Sequence, residues 1–378
     1  MSSLKDDINC KIKIMKFWKI LLMVLVLLVG GGLISWKMGW WRLETEFTNP
    51  VSDIKFSGNK ENKKIEKNVG YLAQYNFENL KKRKNQSSEI KTIGKLLVVE
   101  EARKTVLKKY EEEGIKKENN FESKAISFES NGKKISGMMN IPITTKSNKL
   151  PAIIMIRGFA ESQGYFIGSG SWKMADELAR NGFVTVSLDF LGFGLSDQES
   201  TDILEARFEK PVSVLDLIES VKSLDFVDSG KIGIWAHSNG GQIAISVLEI
   251  TGKNYPTVLW APMTNPFPKS VLETIDENSE SGKIVKDRID QFEKEYDSKL
   301  YSIDNFYNNI QSPILIHQGT ADEWCKVSWQ KDLQNKLKKL NKEVSLDIRK
   351  DNDHNLKQSW DDVAKMDIEF FSQKLGTL

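Results

Sequence analysis

Cysteine and histidine are scarce in this chain of 378 residues, which holds two cysteines, Cys10 and Cys325, and three histidines, His237, His317 and His354. Two cysteines so far apart build no disulfide framework, and no Cys/His spacing here suits a zinc site. The sequence therefore implies no metal and no cofactor. Net charge is also small, at +2, which gives no sign of a nucleic-acid partner. Enough apolar residue remains, at 40% against 28% charged, to bury a sizeable core and to exclude a disordered or collagen-like chain.

The small net charge conceals a split. Residues 1–120 carry 24 basic against 15 acidic side chains, whereas residues 121–378 carry 30 against 37. A basic front precedes an acidic body.

The front opens on residues 1–16, which are lysine-rich. From Phe17 to Trp36 the chain is then apolar, glycine or serine, broken only by Lys19. That length approaches the ~20 residues a helix needs to cross a bilayer, and Lys19 can snorkel to the headgroups. Trp18 on one side and Trp36, Trp40 and Trp41 on the other match interfacial aromatic belts. A cleaved signal peptide would show a shorter core and a small-residue cleavage site, but S-W-K-M-G-W-W-R follows instead. Residues 17–41 thus read as a single-pass anchor in the cell membrane. Lys5, Lys11, Lys13, Lys16 and Lys19 place residues 1–16 in the cytoplasm and the body outside.

Residues 42–120 form a juxtamembrane region rich in Lys, Glu and Asn. A short helix or strand is expected near Tyr75–Leu80, and a hairpin or helix within K-T-I-G-K-L-L-V-V-E-E-A-R-K-T-V-L. The basic cluster at Lys81–Lys84 reads as a solvated face rather than a lipid-headgroup site.

From residue 121 the pattern changes. Two alternating runs around Asn131-Gly132 read as an opening β-hairpin. Short apolar runs suited to strands buried on both faces follow: A-I-I-M-I-R, F-V-T-V-S-L, K-I-G-I-W-A, T-V-L-W-A and P-I-L-I-H. Helical stretches lie between most of them, at Trp172–Arg180, Val212–Leu224, Gln242–Ile250 and Trp329–Leu340. This rhythm predicts an α/β domain over 121–378 with a mainly parallel, doubly wound sheet. Residues 263–312 interrupt it without a strand pattern and are expected to form a cap.

The third buried strand runs directly into A-H-S-N-G-G and a helix, the strand–turn–helix setting of a nucleophile elbow with Ser238 at the turn. A serine hydroxyl is a poor nucleophile without a base, and the base needs an acid to orient it. With such an elbow the order is Ser, then Asp or Glu, then His. Of the two histidines after Ser238, His317 lies inside an apolar strand pattern. His354 lies in the loop D-N-D-H-N-L after the last strand, where the base must sit. His237 is expected to point away from the serine. Asp322 in Q-G-T-A-D-E supplies the acid, with Glu323 its nearest rival. The oxyanion donors expected are the backbone N–H groups of Asn239 and Phe159.

With these residues in place, the body resembles the α/β-hydrolase superfamily. Within it, the body is similar to prolyl oligopeptidase catalytic domains, of the dipeptidyl aminopeptidase and acylaminoacyl-peptidase kind. The resemblance rests on I-R-G-F, L-D-F-L-G-F-G-L-S-D, I-G-I-W-A-H-S-N-G-G, H-Q-G-T-A-D and D-N-D-H. It implies a serine-type peptidase, with an acyl or carboxyl esterase as the alternative, and hence a peptide or ester substrate. A non-catalytic binding protein on the same fold would be expected to lack part of the triad, and none is lacking. Arg157 and Ala236 depart from the residues usual at their positions, and residues 42–120 are too few for a β-propeller. Glu205, Arg207 and Glu209 read first as ion pairs on one helix face, and second as readers of a charged substrate terminus.

Overall fold

The computed structural model describes residues 69–143 and 149–376. The expected anchor at 17–41 and the cytoplasmic segment 1–16 lie outside these residues. Among the described residues, no helix is long and apolar enough to cross a membrane.

The described chain holds nine strands: β1 Lys91–Gly94, β2 Phe121–Ser130, β3 Lys133–Pro142, β4 Leu150–Ile156, β5 Val184–Leu188, β6 Val227–His237, β7 Thr257–Trp260, β8 Ile314–Gly319 and β9 Val344–Arg349. The helices are α1 Phe77–Lys82, α2 Leu97–Glu112, α3 Trp172–Arg180, α4 Ile203–Lys222, α5 Asn239–Thr251, α6 Lys269–Leu272, α7 Glu280–Glu295, α8 Val327–Lys339 and α9 Trp360–Leu375. The strands form one sheet in the order β1-β2-β3-β5-β4-β6-β7-β8-β9. Pairing is antiparallel from β1 to β5 and parallel from β5 to β9. Asn131 and Gly132 both take positive φ between β2 and β3, as a two-residue hairpin requires.

Period-two alternation sorts the central strands between two cores. Ile154 and Ile156 face one layer with Val214 and Leu217 of α4, Val247 of α5 and Leu333 of α8. Ile153, Met155 and Trp235 face the other with Val99 of α2, Leu178 of α3 and Phe371 of α9. All of β4 is buried, which is why its sequence reads as an unbroken apolar run.

Three features differ from the sequence reading. The sheet begins at β1, before residue 121, and α1 and α2 are docked on the same fold through Leu80, Leu96 and Val99, each nearly inaccessible. Arg83 is not part of a solvated cluster: its guanidinium forks onto both oxygens of buried Asp216 at 2.6 and 2.8 Å. The helix expected from Val212 starts at Ile203 and runs through Pro211. Proline has no N–H, so the Arg207 carbonyl loses its helical donor there.

Residues 263–312 carry α6, α7 and three short 3-10 turns. Phe208 of α4 packs against Phe267, Phe292 and Tyr301 at ring distances of 5.3, 5.6 and 4.9 Å. Tyr301 donates to the Leu72 carbonyl at 3.1 Å, and Arg288 forks onto Asp202 at the start of α4. The segment before α1 and the insertion therefore hold each other beside α4.

Candidate active site

Strand β6 ends at His237 and α5 begins at Asn239, so Ser238 alone makes the turn. Its backbone takes φ +54° and ψ −122°. A non-glycine residue in such a conformation costs on the order of 1–3 kcal/mol and persists only when its surroundings impose it. Here the Ser238 N–H donates to Trp260 O, and the Ser238 carbonyl accepts from Gly241 and Met263, all at 2.9 Å. The end of β4 passes so close beneath that a Cβ on Gly240 would lie 2.5 Å from the Ile156 carbonyl oxygen. The glycine two residues after the serine is thus required by the approach of β4.

Asp322 and His354 meet across the ends of β8 and β9. His354 Nδ1 lies 2.9 Å from Asp322 Oδ2, and the Asp322 side chain is fully buried. Its Oδ1 accepts from the N–H groups of Trp324 and Cys325 at 2.8 and 2.9 Å, while Gln318 Nε2 donates to Oδ2 at 2.9 Å. Burial alone would raise the carboxyl pKa, but the His354 bond and the Cys325 N–H outweigh it and hold the value below the usual range. Asp322 is therefore an anion with every oxygen engaged, aimed at one imidazole nitrogen. Its rival Glu323 is exposed, and the carboxylate next to His354 in the chain, Asp353, is turned to the N–H groups of Asn355 and Lys357.

Among the described residues no hydrogen bond joins Ser238 Oγ to His354. In unliganded hydrolases this contact is often long and tightens only when substrate binds. The histidine loop is nonetheless tied to the elbow itself. His237 Nε2 lies 3.0 Å from the His354 carbonyl oxygen, and the two imidazole centroids are 4.8 Å apart. A carbonyl can only accept, so His237 carries its proton on Nε2. Burial, aided by neighbouring His354, pushes its pKa down to about 4, so it is neutral at physiological pH. The sequence reading treated His237 as merely pointing away. Its partner is a backbone atom 117 residues on, and no side-chain pattern announces that.

The backbone N–H groups of Phe159 and Asn239 have no hydrogen-bond partner among the described residues. Gly158 lies against the nucleophile, and a Cβ there would stand 2.8 Å from Ser238 Cβ. The Phe159 side chain is 83% exposed, so only its backbone is at issue here. Arg157 braces this loop. It donates to the carbonyl oxygens of Gly158 and Asp189 at 2.8 and 2.6 Å, and its guanidinium lies 4.2 Å from the Phe193 ring centre. Asp189 in turn accepts from Ser136, Tyr165 and the Gly168 N–H, a structural role that needs no chemistry.

One group among the described residues has the makings of a cation site. Asp322, Cys325 and His354 place their donor atoms within 4.8 Å of one another. Burial raises the Cys325 thiol to about 12, so it stays protonated and is no thiolate ligand. Asp322 and His354 already satisfy each other. His317 is not the base: it is buried between Asp347 and Asp367 at 2.8 and 2.9 Å.

The trio on α4 divides. Glu205 accepts from Tyr75 and Ser200, and Glu209 accepts from Lys133. Arg207 faces away from both, toward α5, where Nη2 donates to Gln242 and, at 3.1 Å, to Ser270. Residues four apart share a helix face, and the residue midway between them does not. Arg207 lines a narrow cleft with Asn239, Gln242, Lys210, Phe208 and Phe267.

A mainly parallel sheet with a strained serine between a central strand and its helix, and an Asp–His pair beyond later strands, defines the α/β-hydrolase fold. The chain belongs to the prolyl oligopeptidase family, whose model matches residues 171–377, more than half of its length. Solved structures share the fold at low identity. A Pyrococcus horikoshii acylaminoacyl peptidase aligns with TM-score 0.54 and 18% identity over 73% of this chain and 44% of its own. An acetyl xylan esterase from Thermoanaerobacterium sp. aligns with TM-score 0.54 and 16% identity over 80% of this chain and 94% of its own. A Bacteroides ovatus protein described as a dipeptidyl aminopeptidase IV aligns with TM-score 0.53 and 15% identity over 68% of this chain. The chain spans only 36% of that protein's length. No curated protein matches the chain.

Proposed function

We propose that this protein is a membrane-anchored serine hydrolase that works through Ser238, His354 and Asp322, with peptide bonds as its first substrate class. The observation that carries the reading is the 2.9 Å contact between His354 and a buried, fully bonded Asp322, beside a serine held at φ +54°. In the reaction, Ser238 Oγ attacks the substrate carbonyl carbon as His354 Nε2 takes its proton. The N–H groups of Phe159 and Asn239 receive the oxyanion. The carbonyl then re-forms, the bond to the leaving amine or alcohol breaks, and His354 returns the proton to the departing atom. Water repeats the sequence on the acyl-enzyme and frees the serine.

Family membership favours peptides. A second reading, an acyl or carboxyl esterase, is favoured by one observation: the chain covers 94% of the esterase but less than half of the two peptidases. Residues 17–41 would anchor the enzyme in the cell membrane, with the catalytic part outside. The apolar run and the lysines before it support this.

Full-length protein in detergent, given matched p-nitroanilide and p-nitrophenyl ester panels, tests the substrate class. Turnover of anilides supports a peptidase, and turnover of esters alone supports the second reading. Membrane association is tested by fractionation: release by carbonate or salt, without detergent, would reject the anchor.

A further inference from the structure

Arg207 and Lys210 sit three residues apart on α4, on one face, and both line the cleft that Asn239 also lines. Neither pairs with a carboxylate among the described residues. Arg207 makes hydrogen bonds only to the neutral side chains of Gln242 and Ser270, and Lys210 makes none. Glu199 and Glu209 act on Lys210 through space, without an ion-pair contact. Burial alone pushes the Arg207 guanidinium down to about 10, which leaves it cationic at neutral pH. Arg83, Arg103 and Arg288 are matched by Asp216, Asp176 and Asp202. Buried Arg157, which has no carboxylate contact among the described residues, is held instead by the carbonyl oxygens of Gly158 and Asp189 and by Tyr165. An unmatched cation in an apolar wall of Phe208, Phe267 and Ile243 is costly unless something supplies the counter-charge.

The position of the pair says what that something is. Gln242, which holds Arg207, lies three residues after Asn239 on α5, about 4.5 Å along the helix axis. Asn239 follows the nucleophile directly. The cleft has a volume of about 40 Å³, enough for a few waters or one small anionic group.

We propose that Arg207 and Lys210 form a subsite for a carboxylate carried by the acyl part of the substrate, a few bonds from the scissile carbonyl. The inference rests on Ser238 being the nucleophile. A glutamyl peptide and the half-ester of a short dicarboxylic acid both offer this chemistry, as a side-chain carboxylate or as the far end of the acyl chain. Arg207 and Lys210 are then specificity-determining residues, and Gln242 positions Arg207.

The test compares isosteres in two arms with the full-length protein. In the peptide arm, kcat/KM for N-acetyl-glutamyl p-nitroanilide is set against the glutaminyl compound. In the ester arm, p-nitrophenyl hemisuccinate is set against p-nitrophenyl butyrate. A charge-assisted contact predicts a preference of about tenfold or more for the anionic member in at least one arm. Preference in the anilide arm assigns an amide substrate, and preference in the ester arm without anilide turnover assigns an ester. The ratio should fall toward unity in Arg207→Gln and in Lys210→Met, so one misfolded variant does not remove the test. Equal or slower turnover of both anionic members by the wild type would overturn the proposal, as would a preference that survives both substitutions. A neutral fluorophosphonate separates the two levels. Labelling of Ser238 without anionic preference rejects the subsite alone, and absence of labelling rejects the hydrolase reading beneath it.

Discussion

His237 Nε2 lies 3.0 Å from the carbonyl oxygen of His354, so the residue beside the nucleophile holds the backbone of the proposed base. The bond joins the end of β6 to the loop after β9, and it fixes where the His354 ring can stand above the elbow. Replacing His237 by alanine removes it without touching the reacting atoms. The expected result is about a fivefold slower fluorophosphonate labelling, in keeping with one lost hydrogen bond of roughly 1 kcal/mol. His237→Gln, which keeps a donor, should recover part of the rate. Equal rates in all three proteins would show that the loop is held by other means.

The same histidine makes acid stability measurable. Its folded pKa of about 4 lies below its ordinary 6.5, so between those values the unfolded chain binds more protons than the folded one. Stability therefore rises with pH across that window, and this contribution is lost as pH falls from about 6.5 to about 4. Wild type and His237→Gln should diverge by up to about 3 kcal/mol in their pH dependence, with the variant flatter. Urea midpoints at pH 7, 6, 5 and 4.5 provide the comparison, and parallel curves would contradict the assignment.

His317 should behave as a structural charge. Burial would lower its pKa, but the bonds to Asp347 and Asp367 outweigh it and raise the value, while burial also raises that of Asp367. A carboxyl oxygen stands beside each ring nitrogen, so both nitrogens are placed to donate. Asp367 also accepts from the indoles of Trp235 and Trp260 at 3.1 and 2.8 Å. His317→Phe strands that buried carboxylate and should cost about 3–5 kcal/mol in chemical denaturation. A loss below 1 kcal/mol would mean that Asp367 is not charged in the fold.

Asp322→Asn preserves shape and removes the charge that orients His354. A fall in kcat of about 10³–10⁴-fold is expected. The protein should fold with a somewhat lower melting temperature, because the new amide must face the Gln318 amide or the Trp324 and Cys325 N–H groups. A small effect on kcat would point to a different acid, and Glu323→Gln would then be the next substitution to measure.

Much of this fold is legible in the sequence where one physical rule dominates. Strands β4 to β8 are buried on both faces, so their apolar runs stand out, and Asn131-Gly132 marks the hairpin. The proposed site residues are legible for the same reason, because each follows a strand that can be recognised. What is hidden depends on contacts between distant residues. In the stretch of β1 and α2 the apolar residues do not declare a buried face, since Leu97 and Val98 are exposed while Leu96 and Val99 beside them, like Leu72 before α1, are buried against elements far along the chain. Arg83 looks like one more surface lysine-type charge until Asp216 is placed opposite it. Helix α9, with buried Val363 and Phe371, carries an apolar spacing that is legible in its own sequence. The division among Glu205, Arg207 and Glu209 was within reach, since a spacing of two places side chains on opposite helix faces.

The central claim is that Ser238 is the nucleophile. The most direct measurement treats full-length protein and its Ser238→Ala variant with a fluorophosphonate and locates the adduct by peptide mass spectrometry. A single modified peptide bearing the adduct on Ser238 is expected, and none in a variant of unchanged melting temperature. Equal labelling of both proteins, or an adduct on another residue, would contradict it.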